Sequence, residues 1–196
     1  MNILLLGKNG QVGWELQRAL APLGTVVAHG SDTAHFTQPD QVAALVRAVR
    51  PDVIVNAAAH TAVDKAESEP EAARLLNATT PAAIACEAAQ LGALLVHYST
   101  DYVFDGSGTT PRTEADATGP LSVYGQTKLE GEQAIAASGC DHAIFRTSWV
   151  YAARGGNFAK TMLRLAETRE EVGVVSDMTG NPTSAGVCTL IICSAT

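Results

Sequence analysis

Tyr124-Gly125-Gln126-Thr127-Lys128 sets a phenol and an ammonium four residues apart. On a helix, positions i and i+4 are neighbours, so both groups share one face. Reducing a carbonyl needs a proton at the oxygen while hydride reaches the carbon, and a phenol can supply it. With an ordinary pKa near ~10, a phenol is a poor participant as phenolate at neutral pH. A Lys⁺ beside it stabilises the phenolate and lowers that pKa. The same ammonium can hold the ribose of a nicotinamide nucleotide. Upstream, Ser99-Thr100-Asp101-Tyr102 brings hydroxyls to the end of an apolar run. There Thr100 can donate a hydrogen bond to a carbonyl oxygen and polarise it. Each signal alone has a plainer reading, a surface i,i+4 contact for the first and a turn capped by Asp101 for the second.

A third segment, Gly7-Lys8-Asn9-Gly10-Gln11-Val12-Gly13, joins an apolar run to a helical pattern. Its G-x-x-G-x-x-G spacing differs from G-x-G-x-x-G, but the physical roles transfer. Gly7 permits the tight turn, Gly10 lets a pyrophosphate approach the backbone, and Gly13 allows close helix–sheet packing. The helix N-terminus then offers unpaired N–H groups to phosphate. The second apolar run ends His29-Gly30-Ser31, with the nearest acid, Asp32, late for a ribose contact. No Arg stands by to grip a 2′-phosphate. The segment therefore reads as using NADP(H), NAD(H) or both, with NADPH favoured.

These groups need a scaffold, and strand-like and helix-like stretches alternate from the start. Ile3–Leu6, Thr25–Ala28, Val53–Val55, Leu94–Tyr98, Ala143–Arg146 and Val172–Val175 read as strands. Thr37 with Asp40, and Ser68 with Glu71, read as capping boxes, while Pro81 suits a helix first turn. A further helix begins near Ser122 after a Gly/Thr/Pro-rich loop from Asp105 to Pro120. Strands alternating with helices imply an α/β fold, a Rossmann-like doubly wound parallel sheet with the ligand crevice at its carboxyl edge.

The 196 residues, 46% of them hydrophobic, allow one well-buried core and a small appendage. The net charge of −7, with no basic run, argues against nucleic acid or an anionic membrane as partner. The chain opens with neither a signal-peptide pattern nor a membrane-length apolar run, so the expected place is the cytoplasm. Cys86, Cys140, Cys188 and Cys193 lack metal-ligand spacing and read as reduced thiols. The residues themselves are expected to hold no metal.

Asn56–Glu67, Tyr98–Phe104 and Tyr124–Lys128, together with the glycine turn, resemble the extended short-chain dehydrogenase/reductases. Val123–Leu129, Phe145–Tyr151 and Asn157–Met162 are more narrowly similar to the dTDP-4-dehydrorhamnose reductases. The resemblance covers residues 1–183. It implies NAD(P)H-dependent reduction of the C4 keto group of dTDP-4-dehydro-L-rhamnose to dTDP-L-rhamnose, for cell-surface polysaccharide precursors. By position it makes Thr100, Tyr124 and Lys128 catalytic, with Tyr124 the proton donor. Gly7, Gly10, Gln11, Val12, Gly13, Ala57, Ala58 and Ala59 would line the cofactor, with Tyr124 and Lys128. Val63, Asp101, Tyr102 and Trp149 would face the dTDP-sugar; Trp149 has core packing as its plainer role. Asn77 and Lys65 are weaker candidates, with solvent-facing roles equally open. The resemblance also brings Mg²⁺, sometimes at a dimer contact near the residue matching Glu15, and hence a homodimer.

Two features depart from that family. His35-Phe36 stands where relatives often carry an acid that helps hold the adenosine. Relatives also continue for about a hundred further residues, a domain's length. Here an apolar run, Val187–Cys193, replaces an expected acidic helix. The expected organisation is a catalytic NAD(P)-binding domain over 1–150 and the start of a substrate-binding region over 151–196, truncated. Such a chain is expected to bind cofactor and reduce substrate poorly. Two other readings stay open: an epimerase or dehydratase acting on sugar nucleotides, and a non-catalytic regulatory subunit like the methionine adenosyltransferase beta subunit.

Overall fold

A computed structural model describes residues 1–189. Its centre is the apolar run at the N-terminus. Ile3, Leu4, Leu5 and Leu6 are each 0% exposed, as a strand covered on both faces requires. This strand, β1 (Asn2–Leu6), lies between β2 (Thr25–His29) and β3 (Val53–Asn56). Beyond β3 come β4 (Leu94–Thr100) and β5 (His142–Thr147). All pairs are parallel, and the order is β2-β1-β3-β4-β5. The order reverses beside β1, which places a ligand crevice outside the carboxyl ends of β1 and β3.

Period-two alternation sorts the strand side chains into two cores. Leu4, Leu6, Ile54 and Leu95 pack with Val42, Val46, Ile84 and Ile135. Those partners belong to α2 (Pro39–Val49), α5 (Thr80–Leu91) and α6 (Val123–Ala137). On the opposite face Ile3, Leu5, Val53, Val55 and Val96 pack with Leu16 and Leu20 of α1 (Gln11–Leu20) and with Cys188. Helices on both faces confirm the doubly wound arrangement.

Between β3 and α5 the chain forms two short helices, α3 (Val63–Ser68) and α4 (Pro70–Arg74), then a π-helical turn over Leu75–Thr79. Pro81 sits in the first turn of α5, where its missing N–H costs little. Neither expected capping box forms. The N-cap of α2 is Gln38, with Pro39 in the first turn, and no side chain caps it. Ser68 ends a helix, its hydroxyl donating to Lys65 O at 3.0 Å, and α4 starts at Pro70 without a side-chain cap. In both places a proline set the first turn one residue beyond the expected point. Ser122 does cap α6, accepting from the Gly125 N–H at 3.1 Å.

After β5 the chain forms β6 (Val150–Tyr151), α7 (Phe158–Ala166) and β7 (Thr183–Ser184), the two short strands pairing with each other. The expected strand at Val172–Val175 is absent, and Val174 and Val175 are exposed. Of the apolar run Val187–Cys193, residues 190–193 lie outside the described residues. Among the described residues no helix is long and apolar enough to cross a membrane.

Candidate active site

The glycine turn forms because β1 must hand the chain to α1 in four residues, Gly7 to Gly10. Gly7 has φ +94°, and a Cβ there would stand 2.7 Å from Ala57 C and Ala58 N. Gly13 lets α1 rest on the turn, since its Cβ would lie 2.0 Å from Gly7 O. Gly10 is different. Its backbone is extended, and a Cβ would meet only Gly7 O, at 3.6 Å. Neither strain nor packing within the chain calls for glycine at this point, so it fits a group arriving from outside. Gly10 is also the N-cap of α1, with no side-chain cap and no acid in the first turn. This cradle fits a dinucleotide pyrophosphate.

Ala57, Ala58 and Ala59 leave the carboxyl end of β3 beside this turn. Ala57 N–H donates to Leu6 O at 2.9 Å, and Ala58 N–H to Asn56 Oδ1 at 3.1 Å. Val12 packs against the core under the turn. The Gln11 amide donates to Val150 O at 3.4 Å and accepts from Asn157 Nδ2 at 3.0 Å, tying α1 to the segment after β5. At the end of β2, Asp32 is clasped by Asn9 Nδ2 at 2.8 Å and Lys8 Nζ at 3.2 Å. Those hydrogen bonds, the Asn9 one first, hold its carboxyl below the usual range. Asp32 thus reaches the glycine turn despite its late position, and Lys8 supplies a cation there. Phe36 lies 9% exposed in the core, and Phe36 O accepts from Thr80 Oγ1 at 2.7 Å, so this aromatic serves packing.

The expected catalytic groups meet at the carboxyl end of β4. Thr100 is the strand's last residue, two beyond the expected end, and it is 5% exposed. Its hydroxyl donates to Asp101 Oδ1 at 3.1 Å and accepts from Tyr102 N–H at 3.2 Å. Asp101 Oδ2 also accepts from Ser148 Oγ at 2.7 Å. Tyr124 and Lys128 lie in the first turns of α6, 9% and 2% exposed. The Tyr124 ring meets the edge of Tyr102, centroids 5.6 Å apart. Val63 and Val123 pack on the same small cluster. Gly125 allows this approach, because a Cβ would lie 2.2 Å from Tyr102 O.

The electrostatics differ from the sequence expectation. Burial pushes the Tyr124 phenol above its ordinary pKa; a hydrogen bond with Thr100 pulls it down, while Asp101 and Tyr102 push it up. Lys128 is not among the groups acting on it. The Lys128 ammonium is itself destabilised by burial, which brings its pKa to about 8 against an opposing pull from Glu132. Its Nζ points to Tyr98 O at 2.6 Å and His97 Nε2 at 3.2 Å. A helical i,i+4 spacing put the two groups on one face without putting them in contact.

Trp149 holds φ +45°, is 46% exposed, and lays its ring over Gly180, where a Cβ would come 2.6 Å from Cε2. It is therefore not a core residue. Asn77 is not solvent-facing either. It is 0% exposed, accepts from His60 N–H at 2.9 Å, and donates to His60 O and to Thr127 Oγ1, each at 3.1 Å. It thereby fastens the loop after β3 to α6. Lys65 is exposed and pairs with Glu69 at 3.2 Å. Glu15 pairs with Arg18 at 2.7 Å. No group of three or more His, Cys, Asp or Glu among the described residues is placed to hold a metal.

Two residues of the site escaped sequence reasoning, Asn56 and His97, both buried. The available signal was a polar residue interrupting each apolar strand run, Val-Ile-Val-Asn and Leu-Leu-Val-His. A cavity of about 400 Å³ lies elsewhere, lined by Tyr98, Glu114, Glu132, Arg146, Thr147 and Cys188 among others.

Residues 1–195 match the RmlD substrate binding domain family. The dTDP-4-dehydrorhamnose reductase of Escherichia coli strain K12 is 63% identical over 189 residues, 94% of this chain and 63% of the relative. The chain therefore spans less than two thirds of the curated relatives it matches most strongly. The crystal structure of a dTDP-4-dehydrorhamnose reductase from Clostridium acetobutylicum superposes with a TM-score of 0.95 at 40% identity, covering 100% of this chain and 70% of that one. A dTDP-4-dehydrorhamnose reductase from Bacillus anthracis, solved in complex with NADP, gives 0.93 at 36% identity, covering 98% and 69%.

Proposed function

We propose that this chain, which belongs to the RmlD substrate binding domain family, binds NAD(P)H and carries the proton-donating site of a dTDP-4-dehydro-L-rhamnose reductase. The observation that carries this reading is the meeting of Thr100, Tyr124 and the cofactor cradle along one sheet edge. The bound nicotinamide supplies the hydride. A substrate C4 carbonyl held at the end of β4 would accept hydrogen bonds from the Thr100 and Tyr124 hydroxyls, and Tyr124 would release its proton to that oxygen. Burial keeps Tyr124 protonated at neutral pH, as a proton donor requires. In the structure the single Thr100 hydroxyl proton goes to Asp101 Oδ1 and Ser148 donates to Asp101 Oδ2, so Thr100 would turn its proton from Asp101 to the substrate oxygen.

The NADP complex of the Bacillus anthracis relative and the open cradle at Gly10 support NADP(H), with NAD(H) retained because Asp32 stands at the turn. Gly7, Gly10, Gln11, Val12, Gly13 and Ala57–Ala59 would line the cofactor, with Lys128 at the nicotinamide ribose. Val63, Asp101, Tyr102 and Trp149 would face the dTDP-sugar. The division into a cofactor and catalytic domain over 1–150 and a substrate region from 151, a cytoplasmic location and a homodimer belong to the same reading.

The test is NADPH oxidation that depends on dTDP-4-dehydro-L-rhamnose, with cofactor binding followed separately by fluorescence. Sugar product without net cofactor oxidation would replace this reading by an epimerase or dehydratase. Cofactor binding with no sugar chemistry, in a protein carrying the relatives' full length, would favour a regulatory subunit.

A further inference from the structure

We propose that the buried pair Asn56–His97 is a positioning relay that fixes the proton of His97 on Nε2 and thereby disfavours the ammonium form of Lys128 in the resting site. The relay has a direction that the hydrogen bonds impose. The Ala58 N–H can only donate, and it lies 3.1 Å from Asn56 Oδ1. This fixes the Asn56 amide the other way round, with Nδ2 toward His97 Nδ1 at 3.1 Å. An amide NH₂ can only donate, so Nδ1 of His97 accepts and carries no proton. A neutral imidazole then has its proton on Nε2, facing Lys128 Nζ at 3.2 Å. An ammonium has no lone pair, so two donors would oppose each other there. Only the neutral amine completes the chain, accepting from His97 and donating to Tyr98 O at 2.6 Å.

Reversing any one member creates a conflict elsewhere. Turning the Asn56 amide would set its NH₂ against the Ala58 N–H. Moving the imidazole proton to Nδ1 would set it against the amide NH₂. With Asn56 2% and His97 0% exposed, water has no ready way in to repair either. The charges around the pair are few. Lys128 has Glu132 one turn on, which favours the ammonium, and Tyr124 one turn back; Glu132 is itself engaged by Arg146 of β5 at 2.7 Å. His97 faces Lys128, and burial with that cation pushes its own pKa well down. Protonating His97 would add a second cation to a dry site.

The relay links two places the proposed reductase would use together. Its first member is the Ala58 N–H, beside the glycine turn, and its last is Nζ of Lys128. A proton taken up by Lys128 opposes the His97 contact, so the cation is favoured when Nζ is released toward a new acceptor. A ribose hydroxyl or the Tyr124 phenolate is such an acceptor. The inference adds this control to the reductase reading, and its readouts need no turnover, so the two fail separately.

The experiment is a ¹⁵N–¹H correlation of the side-chain imidazoles in the ¹⁵N-histidine-labelled chain, with His97 assigned by the peak lost in His97→Gln. The expected result is a neutral ring bearing its proton on Nε2. A proton on Nδ1, or on both nitrogens, near neutral pH overturns the relay. The second arm is Asn56→Asp, whose carboxylate accepts from both Ala58 N–H and the ring. It should move the His97 proton to Nδ1, and it should raise the proton affinity of Lys128 at least tenfold, followed by NMR titration of Nζ against Lys128→Met. A folded Asn56→Asp chain with tautomer and Lys128 titration unchanged also overturns it. Should that variant not fold, the wild-type tautomer decides alone.

Discussion

Residues 2–147 and residues 151–182 are built on different terms. The first stretch supplies every strand of the central sheet and nearly all its buried side chains. In the second no residue is buried, although it contains an amphipathic helix and Phe158, Leu163, Val174, Val175 and Met178 all face solvent. Apolar content alone therefore does not make a core; a periodic face needs a facing surface. The difference teaches where the proposed chemistry is secure. Thr100, Tyr124 and Lys128 rest on the packed stretch, whereas Trp149 stands at its border on a left-handed backbone.

Four measurements would break or sharpen that contrast. Tyr124→Phe removes the proposed proton donor and should lower dTDP-4-dehydro-L-rhamnose-dependent NADPH oxidation by about 10²–10⁴-fold, with cofactor binding by fluorescence titration largely intact; surviving turnover would dismiss the assignment. Leu5→Ala, at a 0% exposed position, should cost about 2–5 kcal/mol in urea unfolding.

The third concerns acid and base. His97 has its folded pKa below 6.5, so the unfolded chain takes up the extra proton as pH falls. Stability should drop below pH 6.5, by at most about 1.4 kcal/mol per pH unit from this residue, and His97→Gln should flatten that slope. Lys128, lowered from 10.5 to about 8, makes the chain gain stability as pH rises from about 8 towards 10.5. A Lys128→Met chain that keeps the same alkaline rise would show that another group causes it. The smallest effect is Leu163→Ala on α7, expected to stay within about 0.5 kcal/mol of the parent. A loss comparable to that of Leu5→Ala would mean that 151–182 has a packing surface after all.

Much of the fold could be read in advance because the inner strands β1, β3 and β4 are almost wholly buried. Runs such as Ile3-Leu4-Leu5-Leu6 carry a signal that needs no partner to interpret. Val172-Gly173-Val174-Val175 is also largely apolar and forms no strand, because a short apolar run, here interrupted by Gly173, depends on its context to become one. The caps failed where Pro39 and Pro70 pre-empted the first turn. Within the site, order along the chain was legible: glycine turn, strand-end hydroxyl, then Tyr124 and Lys128. What was hidden was contact. The expected Lys128 effect on Tyr124 is not found, since the amine turns to Tyr98 O and His97, and neither strand register nor burial can be read from an i,i+4 spacing. Asn77 was hidden for the same reason, its three hydrogen bonds reaching seventeen and fifty positions along the chain.

The strand order has a consequence for synthesis. β1 is made first yet sits inside the sheet, so its four buried residues wait until β2 and β3 have emerged. From there β3, β4 and β5 join one growing side in the order in which the ribosome delivers them. Such vectorial assembly spares the nascent chain from inserting a late strand between earlier ones, a slow step in parallel sheets. Because α6 emerges between β4 and β5, Tyr124 can dock beside Thr100, and Lys128 beside Tyr98 and His97, before β5 joins the sheet. A ribosome stalled after residues 1–147 have cleared the exit tunnel should already expose a protease-resistant nucleotide fold.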